Sequence, residues 1–348
     1  MRFLVVRRDN IGDLVCTTPL FAALRRSHPQ AWIGALVNSY NAPVLAGNPD
    51  LDEVIAYTKL KHLGDDDSAL RALGRRVASL WKLRRARLDT IVLATPDFVP
   101  RVARLARWLA PARVVGVSDG SAAAARLLDA SVPAAGLEGR HEVERVLALS
   151  PLLGLTAPIL PLRLTADEAQ IRRASAGIAD GRGPKVAVHI SARRPKQRWP
   201  AERYAELIER MHSAHGARVL LLWAPGAPDD PQHPGDDDKA ADVARRLGGR
   251  VPLASYRTAL LAELIGALAA CDVVVCPDGG AMHLAAALGK PVVALFGDSA
   301  AARWRPWGVP QRVLQPASRD LRELPVQEVA AAFSSLAAEA GVLGHPRA

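Results

Sequence analysis

The chain has 348 residues, of which 49% are hydrophobic and 23% charged, and its formal net charge is +10. This share of hydrophobic residues is enough to form a sizeable buried core, which excludes a disordered protein. The length predicts about two domains. Neither a signal peptide nor a membrane span is expected, because no apolar run is long enough. The three scattered cysteines are expected to be reduced thiols.

Short apolar strands alternate with helices along the first half, which predicts parallel βαβ units. Strands are predicted at 2–6, 31–37, 54–57, 90–94 and 113–117. Helices are predicted at 13–26, 69–87, 100–109 and 142–153. The Ala-rich segment 121–136 is predicted to be a surface excursion.

A proline-punctuated segment, 157–162, predicts a linker between two domains. Beyond it, Thr165 with Glu168 three residues later predicts a helix cap. The alternation then restarts, which favours two doubly wound α/β halves in tandem. Strands are predicted at 185–190, 219–223, 273–275 and 291–296. Helices are predicted at 201–215, 236–247, 258–270, 280–289 and 327–340.

Three loops follow predicted strands at the edge where open parallel sheets bind ligands. The first, 7–13, contains Gly12, which permits a tight turn, and Asp13, which opens a helix. The helix dipole favours the ionised form of Asp13 at that position. The alternative is a plain first-turn aspartate without a functional role.

The second loop, 189–200, places four cations and a hydroxyl just after a strand. These side chains are Ser191, Arg193, Arg194, Lys196 and Arg198. Cations at this edge suit a diphosphate. A basic surface loop is the alternative.

The third loop has the sequence Asp278-Gly279-Gly280 and opens a helix that carries His283. Small residues let backbone N–H groups approach an anion, and the positive end of the helix dipole favours negative charge. A phosphorylated ligand with hydroxyl groups is therefore expected here. His283 as an ordinary core histidine is the alternative.

Positive charge is concentrated between residues 71 and 107, opposed only by Asp89 and Asp97. The cations are Arg71, Arg75, Arg76, Lys82, Arg84, Arg85, Arg87, Arg101, Arg104 and Arg107. The segment is either a solvated helix face or a contact for an anionic partner. Nucleic acid is not expected, because no reader motif is present and only Trp81 and Phe98 offer rings for stacking.

Four motifs in order resemble glycosyltransferase family 9, the heptosyltransferase family of lipopolysaccharide core assembly. The first is DNIGDLV at 9–15 with TTPL at 17–20, and the second is NPDLDEVI at 48–55. The third is KQRWP at 196–200, and the fourth is DGGAMHLAAALGKP at 278–291. The four motifs are jointly specific, although none is so alone.

The resemblance implies a GT-B fold, with two Rossmann-like doubly wound domains facing across a cleft. We expect an acceptor-side domain at 1–160, a nucleotide-sugar-binding domain at 161–325, and a C-terminal helix within 326–348 that packs back on the first domain. The implied reaction is an inverting, metal-independent transfer from a nucleotide sugar, which is ADP-heptose in characterised members. No cofactor is expected.

In this family the aspartate at the position of Asp13 is the proposed general base. The donor-binding residues implied by the resemblance are Ser191, Lys196, Arg198, Asp278, Gly279, Gly280 and His283. The sequence departs from the family at two of its usual residues. Gln197 stands where the family has Lys, which leaves Lys196 and Arg198 as alternative phosphate contacts, and Gly279 stands where the family has Thr.

The implied acceptor is an anionic glycolipid, and Gly12, Arg84 and Arg85 are predicted to contact it. The basic segment also suits the anionic inner leaflet, so a cytoplasmic protein, or one peripheral at the inner face of the inner membrane, is expected. Three rival hypotheses are a dinucleotide-dependent oxidoreductase, a non-catalytic sugar-nucleotide or glycan binder, and a family member with another donor sugar. The first needs a G-x-G-x-x-G turn after the first strand, which 7–13 lacks.

Overall fold

The structure, a computed structural model, describes residues 1–57, 69–156, 160–229 and 234–343. It consists of two compact units, Met1–Thr165 and Ala166–Ala348. Each unit contains one six-stranded parallel sheet with helices between the strands, which confirms the predicted α/β class. Part of the predicted linker, residues 157–159, lies outside the described residues.

The sheet of the first unit has six strands in the order β3-β2-β1-β4-β5-β6. They are β1 (Arg2–Arg7), β2 (Trp32–Asn38), β3 (Glu53–Tyr57), β4 (Thr90–Leu93), β5 (Arg113–Ser118) and β6 (Ala130–Pro133). The central strands β1 and β4 are near-continuous apolar runs because helices cover both faces of the sheet. The chain reverses its direction of strand addition between β1 and β4, so the topological switch point lies there.

The helices of the first unit correct two predictions. They are α1 (Ile11–Val15), α2 (Thr18–Ser27), α3 (Ala69–Arg85), α4 (Pro100–Trp108), α5 (Ala122–Leu127) and α6 (Glu142–Leu147). A single helix at 13–26 is wrong. Pro19 has no N–H to bond to the Val15 carbonyl, and the Thr18 hydroxyl donates to that carbonyl instead at 2.8 Å. The surface excursion at 121–136 is also wrong, because that segment forms α5 and the edge strand β6.

The sheet of the second unit repeats this topology, with the order β12-β11-β10-β7-β8-β9. Its strands are β7 (Lys185–His189), β8 (Arg218–Trp223), β9 (Leu253–Arg257), β10 (Val273–Pro277), β11 (Val292–Leu295) and β12 (Gln311–Leu314). The sequence did not predict β9 and β12, because both are half-buried edge strands with polar side chains. The switch point of this unit lies between β7 and β10.

Seven helices surround the second sheet within the described residues. They are α7 (Glu168–Ser175), α8 (Ala201–His215), α9 (Asp237–Leu247), α10 (Leu261–Ala269), α11 (Gly280–Ala287), α12 (Ala301–Trp304) and α13 (Val326–Glu339). The predicted Thr165 cap is wrong, because the carboxylate of Asp167 accepts the capping hydrogen bond from the Gln170 N–H at 3.0 Å. Across the described part of the chain, no helix has the length and apolar character needed to cross a bilayer.

The apolar face of α13 packs into the core of the second unit. Val329, Phe333 and Leu336 are fully buried there, and α13 contacts α8. The return of this helix to the first domain stays a prediction. The same core holds Trp199, whose indole N–H donates to the Leu324 carbonyl at 3.0 Å and fixes the end of the KQRWP motif.

Candidate functional site

The first unit places a buried arginine at its switch point. Arg7 is the last residue of β1 and is fully buried. One of its guanidinium nitrogens donates to the carbonyl of Ala94, directly after β4. Arg7 therefore joins the carboxyl ends of the two strands at the point where α/β sheets bind ligands.

Three carboxylates surround the Arg7 guanidinium. Its Nη2 lies 2.6 Å from Oδ1 of Asp13 and 2.7 Å from Oε1 of Glu142, and its Nε lies 3.0 Å from Oδ2 of Asp9. Burial alone lowers the pKa of Arg7, but the charges of Asp13, Glu142 and Asp9 outweigh burial and raise that pKa above its ordinary value. Arg7 is therefore a fixed cation that holds Asp13 and Glu142 in place.

Asp13, the predicted catalytic residue, is held on both carboxylate oxygens. Oδ1 faces Arg7, and Oδ2 accepts hydrogen bonds from the backbone and side-chain N–H groups of Asn10 at 3.0 and 3.1 Å. Its backbone carbonyl accepts the Thr17 hydroxyl at 2.9 Å. Gly12 precedes it in α1 and is also buried. The carboxylate thus sits in one orientation at the start of a helix, where negative charge is stabilised.

The loop before Asp13 is fixed from the neighbouring strand. The Asn38 amide donates to the Arg8 carbonyl at 2.7 Å, and the Tyr40 hydroxyl donates to the Asp9 carbonyl at 2.6 Å. The Asn41 amide also donates to the Asp9 carbonyl, at 3.1 Å. These bonds satisfy the loop carbonyls and hold the backbone that positions Asp13.

Two residues of this site, Arg7 and Glu142, were not predicted to be functional. A charged residue that ends an apolar strand directly before a candidate site is a signal that the sequence does contain. Glu142 gave no such signal, because it lies 135 residues from Arg7 and only the fold brings them together.

Arg84 and Arg85 do not join Asp13. Both lie at the end of α3, which runs back toward the amino-terminal edge of the sheet, where the Asp89 N–H donates to the Arg2 carbonyl at 3.0 Å. Asp13 lies at the opposite, carboxyl-terminal edge. The side chains of Arg71, Arg75 and Arg76 lie outside the described residues.

The second unit brings three loops together at its switch point. They follow β7, β10 and β11, which are neighbours in the sheet. The side-chain amide of Gln197 donates to Oδ2 of Asp278 and to the hydroxyl of Ser299, at 3.0 Å each, and that hydroxyl lies 2.6 Å from the same Oδ2. Burial raises the pKa of Asp278, while the Ser299 hydrogen bond, the Arg194 charge and the Gln197 hydrogen bond act in the opposite direction.

The helix after Asp278 begins without a side-chain cap. Gly279 is the N-cap of α11 and makes no side-chain hydrogen bond to the N–H groups of the first turn. Gly279 has extended backbone dihedrals, and a Cβ there would meet no atom within 4 Å. A tight glycine turn is therefore not what this position requires. Its small size instead leaves open space above the N–H groups, which suits an anion.

His283 lies one turn into α11 and is buried. Its ring meets the ring of Trp304 edge-on, with 5.8 Å between the centroids. This contact packs the His283 ring against α12, which ends at Trp304.

The predicted phosphate cations differ in their surroundings. Lys196 is exposed, whereas Arg198 donates to the Ala192 carbonyl at 2.9 Å and lies 3.5 Å from a carboxylate oxygen of Asp236. Arg198 thus ties two loops of the second unit together. The hydroxyl of Ser191 accepts the Ala224 N–H at 2.9 Å and likewise serves loop geometry.

Exposed Arg194, in the same loop as Lys196, lies 3.7 Å from a carboxylate oxygen of Asp298. Its charge also acts on Asp278. Arg194 is therefore a cation beside Asp278. It was among the cations predicted in this loop, but it was not among the donor-binding residues that the resemblance implies.

Beneath these loops lies a buried polar cluster. Burial lowers the pKa of His189 to about 4, with the Lys239 charge acting in the same direction. Burial also lowers the pKa of Lys239 to about 8, although Asp236 opposes this change. Lys239 donates to the Ile190 carbonyl at 2.9 Å and so supports the end of β7 from α9.

No group of three His, Cys, Asp or Glu side chains in the described part of the chain is arranged to hold a metal ion. The acids at both switch points are instead held by nitrogen and hydroxyl donors, namely Arg7 and Asn10 at Asp13, and Gln197 and Ser299 at Asp278.

The sequence profile of glycosyltransferase family 9 (heptosyltransferase) matches residues 77–329. Lipopolysaccharide heptosyltransferase 3 of Escherichia coli (strain K12) is 27% identical over 302 residues, which cover 85% of this chain and 82% of that relative.

Two solved structures share the fold over nearly all of both chains. E. coli ADP-heptose lps heptosyltransferase II superposes with a TM-score of 0.76 at 23% identity and covers 97% of this chain and 99% of its own. The E. coli heptosyltransferase WaaC with ADP superposes with a TM-score of 0.77 at 21% identity, with coverages of 97% and 100%. The GT-B fold is thereby confirmed.

Proposed function

This chain belongs to glycosyltransferase family 9, and from that premise we propose that it transfers a heptose from ADP-heptose to a lipopolysaccharide core acceptor by an inverting, metal-independent displacement. Family membership makes it an enzyme and excludes both the oxidoreductase and the non-catalytic binder. The donor is proposed because one similar structure is an ADP-heptose heptosyltransferase and another holds ADP. The acceptor is proposed from the relatives that are lipopolysaccharide heptosyltransferases.

The second unit binds the donor in this proposal. The uncapped N–H groups at the start of α11 receive the diphosphate, because a helix N-terminus favours an anion. Both hydrogen bonds to Asp278 end on Oδ2, so Oδ1 is left to accept hydroxyl groups of the sugar. His283 lies one turn further into α11 and is buried.

Cations at the rim stabilise the departing ADP. Lys196 and Arg194 are exposed and are the proposed phosphate contacts, whereas Arg198 and Ser191 hold the loop that presents them. Preorganised positive charge aimed at a developing diphosphate lowers the barrier for its departure.

Asp13 of the first unit is the proposed general base. The acceptor hydroxyl attacks the anomeric carbon on the face opposite the diphosphate, and the new C–O bond forms as the bond to the phosphate oxygen breaks. The proton passes to the Asp13 carboxylate, and the electron pair leaves with ADP. One displacement inverts the anomeric configuration. Gly12 lines the acceptor side next to Asp13, while Arg84 and Arg85 lie at the other sheet edge and are not part of this site.

The observation that carries the proposal is the placement of Asp13. A carboxylate held by Arg7 and Asn10 at a topological switch point has a fixed direction, and a general base must be directed at the proton that it removes.

The test is product analysis with purified protein, ADP-heptose and a lipopolysaccharide inner-core acceptor. We expect ADP release that depends on the acceptor, an anomeric configuration in the product opposite to that of the donor by NMR, and full activity in EDTA. Retained configuration, or activity that EDTA removes and a metal restores, would contradict the mechanism.

A different donor sugar is the second candidate. Gln197 and Gly279 replace the Lys and Thr that are usual in the family, and both lie next to Asp278, where the sugar hydroxyls are proposed to bind. ADP-glucose, UDP-glucose and GDP-mannose belong in the same assay. A higher kcat/KM with one of them than with ADP-heptose would favour this second candidate.

A further inference from the structure

An exposed surface on the first unit combines apolar and cationic side chains. We name it the tryptophan surface, and it consists of Val77, Trp81 and Arg85 on α3 with Arg101, Arg104 and Trp108 on α4. Within each helix, successive residues of this set are three or four positions apart, so they lie on one face. The two indole rings meet edge-on with 5.8 Å between their centroids, which joins the two helices into one surface.

Single exposed apolar side chains are common, whereas a contiguous exposed apolar patch rimmed by polar residues marks an interaction site. Val77 and Trp81 are each 45% exposed and Trp108 is 41% exposed. Among the described residues, the other large apolar side chains with such exposure are Met1 and Leu260, which lie far from this surface in the sequence. Three of the five exposed apolar side chains are therefore gathered on two adjoining helices.

The charge of these helices has one sign. The α3 sequence contains six Arg or Lys and α4 contains three, and neither contains Asp or Glu. Lys82 pairs with Glu53 and Arg107 with Asp129. Arg85, Arg101 and Arg104 form no ion pair within the described part of the chain.

Two arginines lie against the exposed indoles. The guanidinium of Arg84 lies 5.1 Å from the Trp108 ring centroid, and that of Arg85 lies 5.6 Å from the Trp81 centroid. Arg84 also donates to the Trp108 carbonyl. Cation–π contacts hold the rings at the surface with their charges alongside.

We propose that the tryptophan surface binds the interface of an anionic lipid bilayer. Indole rings prefer the headgroup level of a membrane, and clustered Lys and Arg are attracted by anionic headgroups. Exposed indole rings beside arginines that form no ion pair in the described part of the chain match that interface better than they match a water-soluble anion, because such an anion has no apolar layer to receive the rings. The surface lies toward the amino-terminal edge of its sheet, away from Asp13, so it is separate from the proposed acceptor site.

Vesicle flotation of the full chain tests the inference. We expect binding to vesicles of phosphatidylglycerol and phosphatidylcholine in equal parts, little binding to pure phosphatidylcholine, and loss of binding at high salt. Each cation removed weakens binding about fivefold, so Arg101→Gln with Arg104→Gln should weaken it by about 25-fold. Trp81→Ala with Trp108→Ala should weaken binding at low salt by about tenfold or more, because apolar burial is lost.

The matched controls lie in the second unit. Leu260→Ala removes an exposed apolar side chain, and Arg172→Gln with Arg245→Gln removes two exposed cations. Both controls should float like wild type, and the tryptophan variant should keep wild-type turnover with a deacylated, water-soluble acceptor. Wild-type flotation of both surface variants would overturn the inference. So would a lipid-free dimer that the tryptophan substitutions dissociate, because a second copy would then cover the surface. Neither result bears on the proposed transfer reaction.

Discussion

At the switch point of the first unit, Asp13 is held by a buried arginine, whereas at the second Asp278 is held by an amide and a hydroxyl. Arg7 compensates the charge of Asp13 with a fixed countercharge, while Gln197 and Ser299 offer only dipoles to Asp278. The first arrangement suits a group that must keep one orientation throughout a reaction. The second leaves the positive charge to rim cations such as Lys196 and Arg194, which are exposed to a ligand.

Asp13→Asn tests the catalytic half of this comparison and carries the largest expected effect. The amide keeps the shape of the side chain but accepts no proton, so we expect kcat to fall by about 10²–10⁴-fold. Asp9→Asn is the matched control, because Asp9 contacts the same arginine at 3.0 Å from the loop. A comparable fall in kcat for both variants would mean that the charge cluster, rather than Asp13 as base, is what matters.

Arg7→Met breaks the charge compensation of the first unit. It leaves Asp13 and Glu142 as buried, uncompensated carboxylates, which costs about 3–5 kcal/mol of the free energy of unfolding. Lys82→Met on α3 is the control, because the exposed Lys82 pairs with Glu53 at 2.6 Å, and a loss of at most about 1 kcal/mol is expected. Urea unfolding at pH 7 measures both. Equal losses would show that Arg7 contributes no more than an ordinary surface ion pair.

The second unit should be sensitive to acid through His189. Its pKa is about 4 in the folded chain and has its ordinary value of 6.5 in the unfolded chain, so below pH 6.5 the unfolded chain binds a proton that the folded chain does not. Stability is therefore complete above pH 6.5 and falls by about 1.4 kcal/mol per pH unit as the pH drops toward 4. Relative to wild type, His189→Gln should gain melting temperature steadily from pH 6.5 to 4.5. A difference that is constant with pH would rule out this source of acid sensitivity.

Gln197→Lys gives Asp278 a positively charged partner, as Arg7 is for Asp13, and has the smallest expected effect. A lysine there would pair with Asp278 and add positive charge near the diphosphate, so we expect ADP to bind about fivefold more tightly. Gly279→Thr is the companion variant, because its Cβ would enter open space. Calorimetric titration with ADP measures both. Weaker binding by Gln197→Lys would indicate that the neutral amide is itself part of donor recognition.

The sequence predicted those parts of the fold that depend on local pattern. Apolar runs predicted β1, β4, β7 and β10 because central parallel strands are buried on both faces. The edge strands β6, β9 and β12 were not predicted, because they are half-exposed and contain polar residues of the kind found in loops. The break before α2 was also not predicted. It depends on the Thr18 hydroxyl, which donates a hydrogen bond to the Val15 carbonyl in place of the missing backbone N–H of Pro19.

The sequence indicated several residues of the candidate site but not the side chains that they contact. Asp13 and Asp278 stood out because each follows a strand and opens a helix. Glu142 and Ser299 did not stand out, because their contacts to Arg7 and Asp278 join segments 135 and 21 residues apart in the chain. The hydrogen bond from the Arg198 guanidinium to the Ala192 carbonyl was likewise not predicted. Partners of this kind depend on strand order, which a residue pattern does not encode.

In the proposed reaction, the first unit activates the acceptor and the second unit binds the donor. Calorimetric titration of ADP-heptose into wild type, Asp13→Asn and Asp278→Asn tests this claim most directly. We predict a wild-type Kd for Asp13→Asn and a Kd raised at least about tenfold for Asp278→Asn, since a hydrogen bond to a charged group contributes about 1.5–3 kcal/mol. Loss of donor binding in Asp13→Asn together with wild-type binding in Asp278→Asn would contradict it.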